Sequence, residues 1–229
     1  MRFNLISLAI IITLVVDIVL IYRGLAGMEK EINPEEKFIV KTTMAGQVYS
    51  SKNGKKAVMI TAFRDFRDPE YFVPKQILEE AGIIVTTASN EMGTAVGAEG
   101  GKVEVDLLVS DIKVSDFDAI IFIGGPGALS GLNNEDSYRV AKETVSQQKV
   151  LASICISPLI LAKAGVLRNK NATVWRSPVS TENIVILEQN GAIYVPQSLV
   201  VDGKIITADG PEAAEAFGEA IVNSLTGGP

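Results

Sequence analysis

From Ala57 onward, short apolar runs alternate with amphipathic stretches along the chain. AVMITA, 57–62, is continuously apolar, as strands buried on both faces of a parallel sheet are. FRDFRDPE, 63–70, reads as a polar loop, and Tyr71–Ala81 as a helix capped by Gly82, with Pro74 tolerated in its first turns. Ile83–Thr87 predicts a strand, Asn90–Gly101 a Gly-rich loop, and Lys102–Leu108 an alternating strand. DAIIFI, 118–123, predicts another buried strand, ending at Gly124-Gly125-Pro126-Gly127. Asn134–Gln148 is an amphipathic helix with Val140, Ala141, Thr144 and Val145 on one face. Val150–Ile154 is an apolar strand that stops at Cys155, and Ser157-Pro158 then open an apolar, helix-like segment. Beyond it come a short strand at Thr173–Trp175, a helix at Thr181–Gln189 and a strand at Gly191–Val195. Leu199–Val201 and Lys204–Thr207 flank Asp202-Gly203, a strong hairpin signal, and Pro211–Leu225 is a closing helix with proline at its start.

This order predicts an α/β fold, a flavodoxin-like sandwich with a mostly parallel sheet, helices on both faces and a late β-hairpin. In such sheets ligands bind beyond the carboxyl ends of strands. The loops Phe63–Glu70, Gly124–Gly127 and Cys155–Ser157 are therefore expected to converge.

Ahead of this domain, Phe3–Tyr22 is apolar except for Asn4, Ser7, Thr13 and Asp17, and Arg2 and Arg23 bracket it. Its length matches the ~20 residues of a membrane-spanning helix. Asp17 costs roughly 2.5–3.5 kcal/mol on insertion scales, which the surrounding Ile, Leu and Val outweigh. Residues 1–27 are read as a membrane anchor holding the domain outside the cytoplasm. Signal cleavage after Ala26, or a soluble protein started at Met28, are the alternatives. Residues 28–55 read as a tether with a strand-like patch at Lys37–Thr42, and residues 56–229 as the folded domain.

A net charge of −6 with no basic block argues against a nucleic-acid partner. One cysteine excludes an intramolecular disulfide, and the absence of histidine removes Ser-His-Asp and Cys-His catalysis together with His-ligated zinc. No metal or other cofactor is expected. Chemistry is left to thiol, carboxylate, hydroxyl, Lys/Arg and backbone groups.

Cys155 sits where a strand turns into a helix, the elbow used by many α/β enzymes. The turn exposes the side chain, and the positive end of the following helix favours thiolate. A small inert core residue is the competing reading. Gly124–Gly127 lacks both GxGxxG spacing and a GK[ST] lysine, so it is a poor phosphate cradle. As an oxyanion loop it would pair the amide of Gly125 with that of Ile156; a tight turn is the plain alternative. The acids of the 63–70 stretch are either a solvated loop or the source of one carboxyl over Cys155, for which Glu70 is best placed.

DAIIFIGGPG, then SICISPLILAKAG, then DGKIITADGPEAAEAFGEAIV together resemble the ThiJ/PfpI superfamily across 56–224. That group includes the parkinsonism-associated deglycase, PfpI-type peptidases and glyoxalase-like enzymes, and shares its fold with class I glutamine amidotransferases. The resemblance implies that Cys155 is the elbow nucleophile, Glu70 the acid that hydrogen-bonds it, and Gly125 and Ile156 the backbone oxyanion donors. It also implies a homodimer. PfpI-type members carry histidine after the cysteine, where this chain has Ile156, and others carry one in the loop that here reads VWRSP, 174–178. Peptidase and amidotransferase activities are therefore not expected; Trp175 and Arg176 are candidates to shape the pocket, with core packing the plainer role for Trp175.

The expected function is a Cys–Glu enzyme acting on a small electrophilic carbonyl compound. The alternatives are a sensor in which an oxidant converts Cys155 to a sulfinate, and a membrane-tethered binding domain without catalysis.

Overall fold

The computed structural model describes residues 54–177 and 179–228. In chain order the strands are β1 (Lys56–Thr61), β2 (Arg64–Phe66), β3 (Ile84–Ser89), β4 (Thr94–Gly97), β5 (Lys102–Glu104), β6 (Leu107–Leu108), β7 (Ala119–Phe122), β8 (Val150–Ile154), β9 (Asn171–Ala172), β10 (Ile193–Tyr194), β11 (Leu199–Asp202) and β12 (Ile205–Ala208). The helices are α1 (Asp68–Glu80), α2 (Ala128–Leu132), α3 (Glu135–Ser146), α4 (Pro158–Lys163), α5 (Glu182–Gln189) and α6 (Ala214–Thr226). The expected anchor and the Lys37–Thr42 patch lie outside the described residues. Among the described residues no helix is long and apolar enough to cross a membrane.

Seven strands form one sheet in the order β11-β12-β8-β7-β1-β3-β6, parallel except for the edge strand β11. Alternation along its central strands divides the core in two. Val58, Ile60, Ile120, Phe122 and Leu151 pack against Val140 and Ala141 of α3, Leu159 and Ile160 of α4, and Leu187 of α5. Ala57, Met59, Ile121, Val150 and Ala152 pack against Tyr71 and Leu78 of α1 and Phe217 and Ile221 of α6. Both faces are covered, which is why these strands read as unbroken apolar runs. Phe217 and Ile221 are fully buried, worth roughly 1.5–3 kcal/mol each. Gly218 lets α6 lie close against α1, since a Cβ there would stand 3.0 Å from Ile77 Cδ1 and 3.1 Å from the Pro74 Cα.

Several local expectations are corrected. The 63–70 stretch is not all loop: β2 pairs with β4, and β4 with β5, in a small second sheet. Its charged sequence hides this, because the pairing rests on backbone bonds around a bulge at Asp65, φ 56°. Helix α1 begins at Asp68 rather than Tyr71, with two acids and a proline in its first turn, and so takes Glu70 into the helix and Pro74 into its interior. Lys102–Leu108 splits between the two sheets as β5 and β6. Helix α2 was not expected. Thr173–Trp175 is not a strand, because Thr173 N–H donates to Thr207 Oγ1 (2.9 Å) and Trp175 N–H to Cys155 O (2.8 Å). In the hairpin Asp202 pairs with Ile205, leaving Gly203-Lys204 as the turn. The Asp202 carboxylate is used instead on Asn171 N–H, at 2.9 Å.

Candidate active site

The elbow forms at the carboxyl end of β8, where the buried strand ends and Cys155 takes φ 64°. A non-glycine residue in that region is strained and persists only where its surroundings fix it. Here both backbone groups of Cys155 are held: its N–H donates to Ala208 O (2.9 Å), and its carbonyl accepts from Trp175 N–H. Ser157, fully buried, donates from Oγ to Ile123 O at 2.7 Å and ties the elbow to the end of β7. Ser157→Ala is expected to cost about 1–2 kcal/mol, because a buried carbonyl loses its hydroxyl donor, and urea unfolding would read that loss.

The bulge in β2 turns the chain so that Arg67 N–H donates to Gly124 O (3.1 Å) and Gly127 N–H to Asp65 O (3.0 Å). The glycine loop thus lies along the strand that leads into α1. Gly125 has φ 117°, and a Cβ on it would collide with the Arg67 backbone nitrogen. In the first turn of α1, the fully buried Glu70 accepts from Gly124 N–H through Oε2 (3.1 Å), and its Oε1 has no hydrogen-bond partner among the described residues. A Cβ on Gly124 would stand 2.5 Å from Cys155 Cβ and 2.6 Å from Glu70 Oε2. The carboxyl and the thiol therefore meet across a glycine.

Burial pushes the Glu70 carboxyl up from 4.5 to about 7, against the pull of the Cys155 contact, the Arg67 charge and Gly124 N–H. Burial likewise pushes the Cys155 thiol up, and a charged Glu70 beside it adds to the rise. The backbone N–H groups of Gly125 and Ile156 pull it back down, and neither donates to a backbone carbonyl among the described residues. Helix α4 is only six residues long, so the local pull towards thiolate comes from these elbow amides, and an ionised Glu70 opposes it. Thiolate forms here only if Glu70 keeps the proton, since two adjacent buried negative charges repel strongly.

Above the pair lies a cavity of about 460 Å³. Cys155, Gly125 and Ile156 line it with Pro126 and Leu129 from the glycine loop and α2, Arg67 from the β2–α1 junction, Trp175, and Pro211 and Glu212 before α6. Cys155, Gly125, Ile156 and Trp175 come together on the cavity wall, with Glu70 held just below by Gly124 N–H. Arg176 does not join them; it lines a separate cavity of about 600 Å³ with Thr181 and Ile184. Gly124 and Arg67 were missed as individual site residues. The Gly-Gly pair was the available signal for the first, whereas Arg67 was hidden in a charged run. Among the described residues no His/Cys/Asp/Glu group is arranged to hold a metal ion.

These features coincide with a match to the DJ-1/PfpI family over residues 55–224, and the chain belongs to that family. A deglycase of Pyrococcus horikoshii is 33% identical over 170 residues, 74% of this chain and 99% of its own length. An uncharacterised protein of Methanocaldococcus jannaschii is 36% identical over 184 residues, 80% of this chain and 88% of its own. Among solved structures, a ThiJ/PfpI domain protein from Brachyspira murdochii has TM-score 0.71 and 32% identity, covering 76% of this chain and 99% of that one. Drosophila melanogaster DJ-1beta has TM-score 0.66 and 28% identity, covering 76% and 92%.

Proposed function

We propose that the protein acts on small reactive carbonyl compounds through Cys155 and Glu70. The observation that carries this reading is the buried Glu70 carboxyl set against the chain's one thiol beneath an open cavity. Glu70 keeps the pair's proton while the Cys155 sulfur adds to an aldehyde carbon. A C–S bond forms, the carbonyl π bond breaks onto oxygen, and the oxygen takes up the proton to give a hemithioacetal. The N–H groups of Gly125 and Ile156 hold that oxygen as its charge develops. For a 2-oxo aldehyde, the regenerated Glu70 carboxylate then moves a proton from the thiol-bearing carbon to its neighbour. Water hydrolyses the resulting thioester, releasing a 2-hydroxy acid and the thiol. No histidine is needed, since one carboxyl with a pKa near neutrality can both give and take the proton. The deglycase name carried by the Pyrococcus relative is in keeping with such chemistry.

The test is loss of methylglyoxal in the presence of the full-length protein, followed by the absorbance of the dicarbonyl. Cys155→Ala is expected to abolish turnover; activity that survives it would end this reading.

A further inference from the structure

Of the residues lining the Cys155 cavity, Arg67 alone is cationic, and the other charged one, Glu212, is exposed. Around them the walls are largely apolar: Leu129, Ile156, Trp175 and Pro211. Arg67 is a built feature of the site. Its N–H holds Gly124 O, and its Nη1 donates to Glu99, whose carboxylate also takes the Asp68 N–H at 3.0 Å. Glu99 thereby orients the guanidinium but occupies only one of its five N–H donors. Nε is buried without an acceptor, and Nη2 has none among the described residues. A charged donor left in that state is costly and calls for an explanation. With the Arg67 side chain 36% exposed and that of Glu99 44%, the ion pair fixes geometry more than it cancels charge. A planar, fixed cation beside a nucleophile, in otherwise apolar walls, suits a carboxylate. A neutral dicarbonyl would leave it unanswered.

We propose that Arg67 anchors the anionic group of the substrate, so that the compound entering this cavity is a short aldehyde or 2-oxo aldehyde bearing a carboxylate. The assignment rests on the Cys155 chemistry proposed above for the aldehyde end; the anion end can be tested separately.

Iodoacetate and iodoacetamide are close in size and alkylate by the same displacement of iodide by sulfur, but only the first is anionic. A change in the thiolate population alters both rates equally, so their ratio on Cys155 reads recognition of negative charge alone. In the full-length protein iodoacetate is expected to react faster than iodoacetamide. Arg67→Gln should lower the ratio about tenfold or more, the scale of one charge-assisted hydrogen bond, and Arg67→Lys should retain part of it. An unchanged ratio in Arg67→Gln overturns the proposal.

A second measurement does not depend on the thiol. Trp175 is the chain's one tryptophan and lines the same cavity, so its fluorescence reports glyoxylate binding to Cys155→Ser. Adding Arg67→Gln should weaken that binding by a similar factor, and binding indifferent to Arg67 overturns the anchor. If neither alkylating reagent reaches Cys155 while glyoxylate binds through Arg67, the anchor stands and the proposed thiol chemistry fails.

Discussion

Glu70→Gln is expected to stabilise the protein at pH 8 by roughly 3 kcal/mol while moving alkylation of Cys155 to higher pH by about two units. Both effects follow from one buried proton. The folded state raises the Glu70 pKa from 4.5 to about 7, chiefly by burial. Between those values the folded protein binds more protons than the unfolded chain, so stability falls as pH rises through that window. Glutamine carries no charge and can still accept from Gly124 N–H, so it removes the penalty. Urea unfolding should show wild type and variant diverging as pH rises from 4.5 and separated by a constant amount above about 8. For the thiol, the wild-type pair loses its first proton near pH 7, and alkylation rises there if the remaining proton stays on Glu70. In the variant Cys155 must ionise alone in a buried site, which places the rise above the ordinary thiol range near 8.5. The sign decides the mechanism. If the proton instead stays on sulfur, removing the carboxylate relieves repulsion and alkylation moves to lower pH, and Glu70 could not serve as the proposed acid.

What the sequence disclosed follows a physical division. Val150–Ile154 and DAIIFI at 118–123 were legible because strands covered on both faces must be apolar throughout, and burial bears this out. Cys155 and the Gly-Gly pair were legible because a strand-to-helix elbow and a tight approach each demand particular residue types. The β2–β4–β5 sheet was not, because its pairing rests on backbone bonds and a bulge that no side-chain period records. Arg67 was not for a related reason. Within FRDFRDPE every charge looks alike, and only the bulge sends Asp65 outward, Arg67 to the cavity wall and Glu70 under the thiol. Charge in a sequence says that a side chain wants water or a partner; position in three dimensions says which.

Gly124→Ala is expected to disable the site while leaving the elbow's sequence intact, with a loss of about 1–3 kcal/mol in stability and at least about 100-fold in methylglyoxal turnover. Gly124 is not in the left-handed region, so backbone strain is not the cause. The cause is space. The added methyl would stand 2.5 Å from Cys155 Cβ, 2.6 Å from Glu70 Oε2 and 2.8 Å from Ile154 O, and none of the three can yield easily. Cys155 is clamped through both its backbone groups, Ile154 belongs to a central strand, and Glu70 is fully buried in the first turn of α1. Relief requires the glycine loop to lift, which breaks the Gly124 N–H bond to Glu70 and withdraws the Gly125 amide from the sulfur. Gly203→Ala provides the contrast. Nothing lies within 4 Å of a Cβ there, but its φ is 63°, so its cost is conformational alone, roughly 1–2 kcal/mol. That variant should lose stability and keep turnover, because the hairpin turn lies outside the cavity lining. If Gly124→Ala instead behaved like Gly203→Ala, the close meeting of thiol and carboxyl across this glycine would not be what the reaction depends on.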